Sequence, residues 1–319
     1  MKEFDFIRSY LAAAPKGEGV LLGIGDDAAL IRPSAGFDLC VSSDMLLEGR
    51  HFFADAAPQD VAHKVLAVNL SDMAAMGACP RWVSLSVALP CLREAWLSAF
   101  CETWFALCAQ YGVSLIGGDT TCGNGVFSVS IIGEIPKGKA LRRDAAKVGD
   151  DVWVSGIIGL AAVALQHHLG NLSLPDAVSA RCDEALLRPQ PRVVLGSNLL
   201  DIAHAAQDVS DGLLQDLGHI AAASGCGAEI WADKVPLLPE LVARMPSASL
   251  LQTALTGGDD YELLFTAPAS ERERIADVAE LCGVPVSRIG VIREGNGVTV
   301  KDENGRILVF EQQGFDHFV

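Results

Sequence analysis

Six short segments of the chain carry most of the residues whose types could do chemistry. They are Gly25-Asp26-Asp27, Ser42-Ser43-Asp44, Asn69-Leu70-Ser71-Asp72, Gly117-Gly118-Asp119-Thr120-Thr121, Asp208-Val209-Ser210-Asp211-Gly212 and Gly257-Gly258-Asp259-Asp260. Most follow an apolar run and read as acidic loops. Clustered carboxylates repel one another unless a cation or a proton lies between them. Oxygen-only ligands on tight turns suit hard divalent ions, above all magnesium, which is usually shared with a phosphate substrate. A single Gly-Asp pair is ordinary turn chemistry. Six such segments, flanked by small residues that let a backbone approach a ligand, predict a magnesium–phosphate site.

The familiar nucleotide machinery is missing. The sequence holds no GxxxxGK[ST], no protein-kinase motif set, no GxGxxG after a strand and no HExxH. His167-His168 is a tempting metal pair, but neighbouring helical residues point apart, and a solvated helix face is expected there. Phosphoryl transfer needs positioning and charge neutralisation more than covalent help, and a multi-magnesium carboxylate site supplies both. A basic group is then wanted for the phosphate oxygens. Arg142, Arg143 and Lys147 are placed to supply it, with a solvated linker charge as the alternative for each.

The elements that must position these groups follow from periodicity. A helix is expected over Phe4–Ala14, stopped by Pro15. A short strand at Leu39–Val41 delivers Ser42 to Asp44. A helix from Pro58 to Gly77 puts Asn69 and Asp72 on one face. Trp82–Leu89 reads as a strand and Leu92–Gln110 as a helix; Val113–Ile116 and Val126–Ile132 are strands bracketing the Gly117–Thr121 loop. The basic stretch from Pro136 is the expected linker. Beyond it come a strand from Asp151, helices near 158–169, 176–187, 191–205, 213–223 and 270–282, a strand at Tyr261–Thr266, and a hairpin of 298–301 with 307–310 turning at Asn304-Gly305. Two α/β or α+β domains are expected, over 1–137 and 148–319, with a site drawn from both.

Composition narrows the function classes. A net charge of −16 opposes nucleic-acid binding, which needs clustered lysine and arginine. The nine cysteines form no CxxC pair, so no zinc ribbon or thioredoxin-type redox site is supported. The N-terminus lacks the pattern of a secretory signal, and the longest apolar stretch, 152–165, is too short to span a bilayer, which takes about 20 residues. A cytoplasmic protein is expected, with no membrane contact.

Taken together, the blocks resemble the thiamine-monophosphate kinase family, within a superfamily that includes aminoimidazole ribonucleotide (AIR) synthetase, selenophosphate synthetase and the hydrogenase maturation factor HypE. The resemblance runs the length of the chain. It is carried by Gly23-Ile24-Gly25-Asp26-Asp27-Ala28-Ala29-Leu30, Val68–Gly77, Leu115–Thr121, Asp208–Leu213, Gly257–Leu263 and the terminal Gly314-Phe315-Asp316-His317-Phe318. It implies an AIR-synthetase-like pair of α/β domains, with N-terminal sheets joining into a barrel in a homodimer. It implies phosphorylation of thiamine monophosphate by ATP, with several Mg2+ ions and K+ as a further candidate. By the same resemblance Asp27, Ser42, Ser43, Asp44, Asp72, Asp119, Asp208 and Asp211 match metal positions. Gly118, Asp119, Arg143 and Ser210 match nucleotide contacts, and His51, Asp259 and Phe315 match substrate contacts. Asp259 stands where the family usually has glutamate. Ala145 stands where it more often has glycine, and Cys101 where some relatives carry tyrosine.

Other readings predict other products. A two-metal phosphohydrolase would use similar carboxylates and release phosphate without transfer. A sister synthetase would act on its own substrate, although no cysteine precedes Cys40 for a selenophosphate synthetase and no terminal cysteine serves a HypE reaction. A structural cation-binding module would show metal-dependent melting without a nucleotide-dependent shift.

Overall fold

A computed structural model of the chain describes residues 3–11, 17–310 and 314. The chain divides into two compact units, Met1–Met73 with Ala78–Gly138, and Ala74–Gly77 with Lys139–Val319. Among the described residues no helix is long and apolar enough to cross a membrane.

The elements of the first part of the chain are α1 (Glu3–Phe6), β1 (Val20–Leu22), β2 (Leu30–Ile31), β3 (Phe37–Leu47), α2 (Pro58–Met76), β4 (Cys79–Leu89), α3 (Glu94–Tyr111), β5 (Ser114–Cys122) and β6 (Val126–Pro136). Four strands form a sheet in the order β3-β6-β4-β5, antiparallel except for β4 with β5, and α3 makes the crossover that a parallel pair requires. Helix α3 ends at Gly112 in the left-handed conformation, with the Val113 N–H closing on the Cys108 carbonyl at 2.8 Å. The expected N-terminal helix is described as far as Leu11: α1 is followed by a π-helical Ile7–Leu11, and Ala12 to Ala14 lie outside the described residues.

Two segments expected as loops are strand interior. Ser42–Asp44 lies inside β3, and Gly117–Thr121 lies inside β5. Serine, aspartate and glycine are poor strand formers, but β3 pairs with β6 residue by residue from Phe37↔Pro136 to Leu47↔Val126. Ladder pairing overrides local preference there.

The second part contributes β7 (Asp151–Ser155), α4 (Leu160–His168), α5 (Asp176–Leu187), α6 (Val193–Asn198), β8 (Ala205–Asp208), α7 (Leu213–Ala223), β9 (Gly227–Trp231), α8 (Pro239–Val242), α9 (Ser247–Thr256), β10 (Leu263–Ala267), α10 (Arg272–Cys282), β11 (Val286–Arg293), β12 (Gly297–Lys301) and β13 (Ile307–Leu308). Seven strands form one sheet in the order β13-β12-β9-β11-β7-β10-β8. Its core joins Val152, Val154, Leu213, Leu217, Ile220, Leu264 and Ile289, all fully buried. The expected helix over 191–205 is only α6. Alanine-rich 204–207 favours a helix on its own, but pairing with β10 from Leu263↔Asp208 to Thr266↔Ala205 makes it strand β8. Strands β9 and β11 and helix α9 were not expected.

Candidate metal and phosphate site

In the first unit, strand register decides which side chains share a face. Rows across the sheet read Ser42–Ile131–Val83, Asp44–Val129–Leu85–Gly118, and Met45–Ser128–Ser86–Asp119. Val129, Ile131, Val83 and Leu85 are buried, so Ser42 and Asp44 lie on the covered face. There Ser42 Oγ–H donates to Asp72 Oδ2 at 2.5 Å, and the Asp44 N–H donates to Asn69 Oδ1 at 3.2 Å. Asn69 is itself held by donating to the Val65 carbonyl one turn back on α2 at 3.0 Å. The helix spacing expected for Asn69 and Asp72 thus meets β3.

Ser43 is on the other face. Its hydroxyl donates to the Val129 carbonyl at 2.9 Å and lies 3.1 Å from Ser130 Oγ. Asp119 is exposed while Thr120 is buried, which places it on that open face too, at the opposite edge of the sheet. Three strand spacings separate the edges, about 14 Å. Gly118 has φ +152°, and a Cβ there would stand 1.8 Å from the Leu85 carbonyl oxygen, so only glycine lets β5 close on β4. Asp27 is exposed, its N–H taken by Asp26 Oδ1 at 2.9 Å. His51 Nδ1 accepts the Leu47 N–H at 3.0 Å, so the neutral ring carries its proton on Nε2. Beside it, Phe52, Phe53, Trp96 and Phe127 line a cleft with Glu48 and Arg93.

In the second unit, the turn from β8 into α7 carries Asp208, Ser210 and Asp211. The segment Gly258–Glu262 clasps it: the Asp259 N–H donates to the Ser210 carbonyl at 2.8 Å, and the Tyr261 N–H to the Val209 carbonyl at 2.9 Å. Asp259 adopts φ +63°, a left-handed conformation that aspartate tolerates better than most residues. A Cβ on Gly258 would sit 2.3 Å from the Ser210 carbonyl oxygen. Glu262 is buried and takes a bidentate Arg192, with Nε at 2.7 Å and Nη2 at 2.5 Å, and the Ser155 hydroxyl at 2.5 Å.

Two buried carboxyls here are not part of the expected ligand set. Asp216, in the first turn of α7, is pushed up to about 7 by burial and then by the nearby Asp211 charge, against the pull of three backbone N–H groups. Burial likewise pushes Asp260 well above the carboxylate range; its Oδ1 accepts the Gly159 N–H at 2.9 Å, while Oδ2 has no hydrogen-bond partner among the described residues. An acidic residue in a first helical turn is the one sequence signal Asp216 offers, and it does not reveal the turn that the side chain holds. Arg143 is exposed and forms no ion pair among the described residues, because Asp144 pairs with Arg142, whose Nε donates to Asp144 Oδ1 at 2.9 Å. The Arg143 carbonyl is held by the Ser224 hydroxyl at 2.8 Å. His168 Nε2 lies 2.8 Å from Asp183 Oδ1, so this histidine has a carboxylate partner rather than only solvent. Phe315 lies outside the described residues. Among the described residues, no three His, Cys, Asp or Glu side chains converge into a metal-sized group.

Residues 25–135 match AIR synthase related protein, N-terminal domain, and residues 147–303 match AIR synthase related protein, C-terminal domain. Over 318 residues the chain is 41% identical to the thiamine-monophosphate kinase of Salmonella typhimurium, covering 99% of this chain and 98% of that one. The chain belongs to the thiamine-monophosphate kinase family. Its two-domain mixed α/β architecture is that of solved members of the family. A crystal structure of thiamine-monophosphate kinase from Stenotrophomonas maltophilia K279a superposes with a TM-score of 0.86 at 45% identity, covering 95% of this chain and 96% of that one. A structure of AaThiL complexed with AMPPCP and TMP superposes with a TM-score of 0.78 at 31% identity, covering 92% of each chain.

Proposed function

We infer that this enzyme transfers the terminal phosphoryl group of ATP to thiamine monophosphate, giving ADP and thiamine diphosphate. The observation that carries the reading is near-full-length identity to kinases of this name, together with the 31% identical AaThiL complex holding AMPPCP and TMP. The acceptor phosphate already carries roughly −1.5 to −2 charges at neutral pH. It needs no general base, in keeping with a site built of aspartates and serines. The obstacle is anion approaching anion: two unit charges about 4 Å apart repel by about 4 kcal/mol at an effective dielectric near 20.

The residues fit magnesium by donor chemistry. All are oxygens, and Ser42 Oγ already meets Asp72 Oδ2. Asp27, Ser42, Asp44, Asp72, Asp119, Asp208 and Asp211 are proposed to hold the ions; Ser43, on the opposite face from Ser42 and Asp44, would serve a different one. When bound, magnesium supplies neutralisation along the triphosphate and holds the reacting oxygens in line. Among the described residues no three His, Cys, Asp or Glu side chains converge, which suits an ion that completes its shell with substrate phosphates. The exposed Arg143, with Asp144 engaged by Arg142, is available to a phosphate oxygen. His51, Asp259 and Phe315 are the proposed substrate contacts, and the cleft beyond His51 offers aromatic surface to the substrate rings.

A homodimer is part of the proposal. Asp44 and Asp119 lie at opposite edges and on opposite faces of one sheet, so a shared ion needs a second copy. The test compares acceptors: with ATP and magnesium, thiamine diphosphate forms from thiamine monophosphate and not from thiamine. Equal product from thiamine would refute a phosphate acceptor.

A further inference from the structure

Three consecutive backbone N–H groups converge on one oxygen at the start of α7. Asp216 Oδ2 accepts from Ser210 at 3.0 Å, Asp211 at 3.1 Å and Gly212 at 3.2 Å. Its other oxygen, Oδ1, accepts from Gln207 Nε2 at 2.5 Å on the adjoining strand β8. Asp216 is 0% exposed. Successive N–H groups turned toward one point at a helix N-terminus form an anion cradle, the device by which many loops hold phosphate. Here the cradle is filled by the chain's own carboxylate. On its far side the same turn is clamped by the Asp259 N–H on the Ser210 carbonyl and by the tight approach of Gly258.

We propose that Asp216 is a positioning residue, fixing the Ser210–Gly212 turn so that Asp208, Ser210 and Asp211 face ligand in one arrangement. It rests on the kinase reading and adds a division of labour to it. Because the three N–H groups are engaged internally, substrate phosphate is held at this turn by side chains and the ions they bind, not by backbone. The nucleotide contact at Ser210 falls to its hydroxyl. Loss of Asp216 leaves three donors unpaired, that of Gly212 buried and those of Ser210 and Asp211 part-buried, and the turn reorganises to satisfy them.

Hydrogen exchange on the wild-type protein without ligands is the first test. The Ser210, Asp211 and Gly212 amides exchange at least about 100-fold slower than open-loop amides; exchange at open-loop rates overturns the proposal. The second test is kinetic. Asp216→Ala raises the half-saturating magnesium concentration about tenfold or more with KM for thiamine monophosphate within about threefold. Asp216→Asn, which keeps one acceptor oxygen, recovers most of that loss. An alanine variant with the wild-type magnesium response, or a folded asparagine variant as impaired as alanine, overturns the proposal. If the alanine variant does not fold, exchange and the asparagine variant decide. Failure of the wild-type enzyme to form thiamine diphosphate would refute the underlying kinase reading and leave the exchange result standing.

Discussion

Asp72 and Asp211 test the cation assignment most sharply at the scale of single residues, because each sits in a different unit and neither belongs to a hydrophobic core. Replacing either with asparagine keeps shape and removes charge. Phosphoryl transfer falls by at least about 10³-fold in each, the scale on which preorganised electrostatic groups act. Thermal unfolding shifts by no more than a few degrees, since neither loss opens a cavity. Full activity in both variants would remove these aspartates from the site. The aspartates proposed for the site were picked out in the sequence because a carboxylate on a short segment of small residues suggests its chemistry. Asp216 was not, since its role depends on a turn bending back over its own helix. The pairing of Asp144 with Arg142 rather than Arg143 was equally out of reach, for both arginines are adjacent in sequence and only side-chain geometry separates them.

At the scale of elements, close approach of strands and buried charge pairs carry the predictions. Gly118→Ala forces a Cβ into the Leu85 carbonyl, 1.8 Å away, from a φ of +152°. A cost of about 2–4 kcal/mol, read from urea midpoints, is expected with loss of ATP affinity, because Asp119 moves with the strand. Asp151, at the head of β7, shows how charge holds the second sheet to α10. Burial alone would raise its carboxyl, but Arg272, at 2.6 and 2.8 Å, and then Arg288, at 3.2 Å, bring it below its ordinary value of 3.8. A depressed acid stabilises the fold above its unfolded value, and that contribution is lost as pH falls through its folded value. Asp151→Asn therefore destabilises by about 1–3 kcal/mol at neutral pH. The difference from wild type shrinks on acidification below 3.8; a gap unchanged at low pH would show that packing, not charge, is responsible.

Long helices were legible at this scale: 176–187 and 213–223 match α5 and α7 end to end, because their apolar spacing, and glycine ahead of α7, act locally. Strands β8, β9 and β11 were obscured because their identity lies in partners far along the chain. Ser42–Asp44 and Gly117–Thr121 read as loops for the same reason, with residue types that favour turns placed in strands by their neighbours' ladders.

For the whole molecule, the edge strand β3 is the most telling surface. Along it Phe37, Leu39, Val41, Met45 and Leu47 are exposed, Val41 at 66%, on an open sheet edge. An apolar edge of this kind invites pairing with another chain unless it is covered. In the proposed dimer a second copy would supply that cover and complete the proposed metal set. Val41→Lys is expected to shift the protein from dimer to monomer in sedimentation and to lower activity with it, since each copy then lacks its partner's edge. A monomeric wild-type protein with full activity would end the dimer proposal.

The central claim is the transfer itself, and a phosphorus NMR time course with ATP, magnesium and thiamine monophosphate tests it most directly. Thiamine diphosphate and ADP rising in equal amounts, without inorganic phosphate, is the predicted result. Inorganic phosphate appearing in place of thiamine diphosphate would contradict it and make the site a hydrolase.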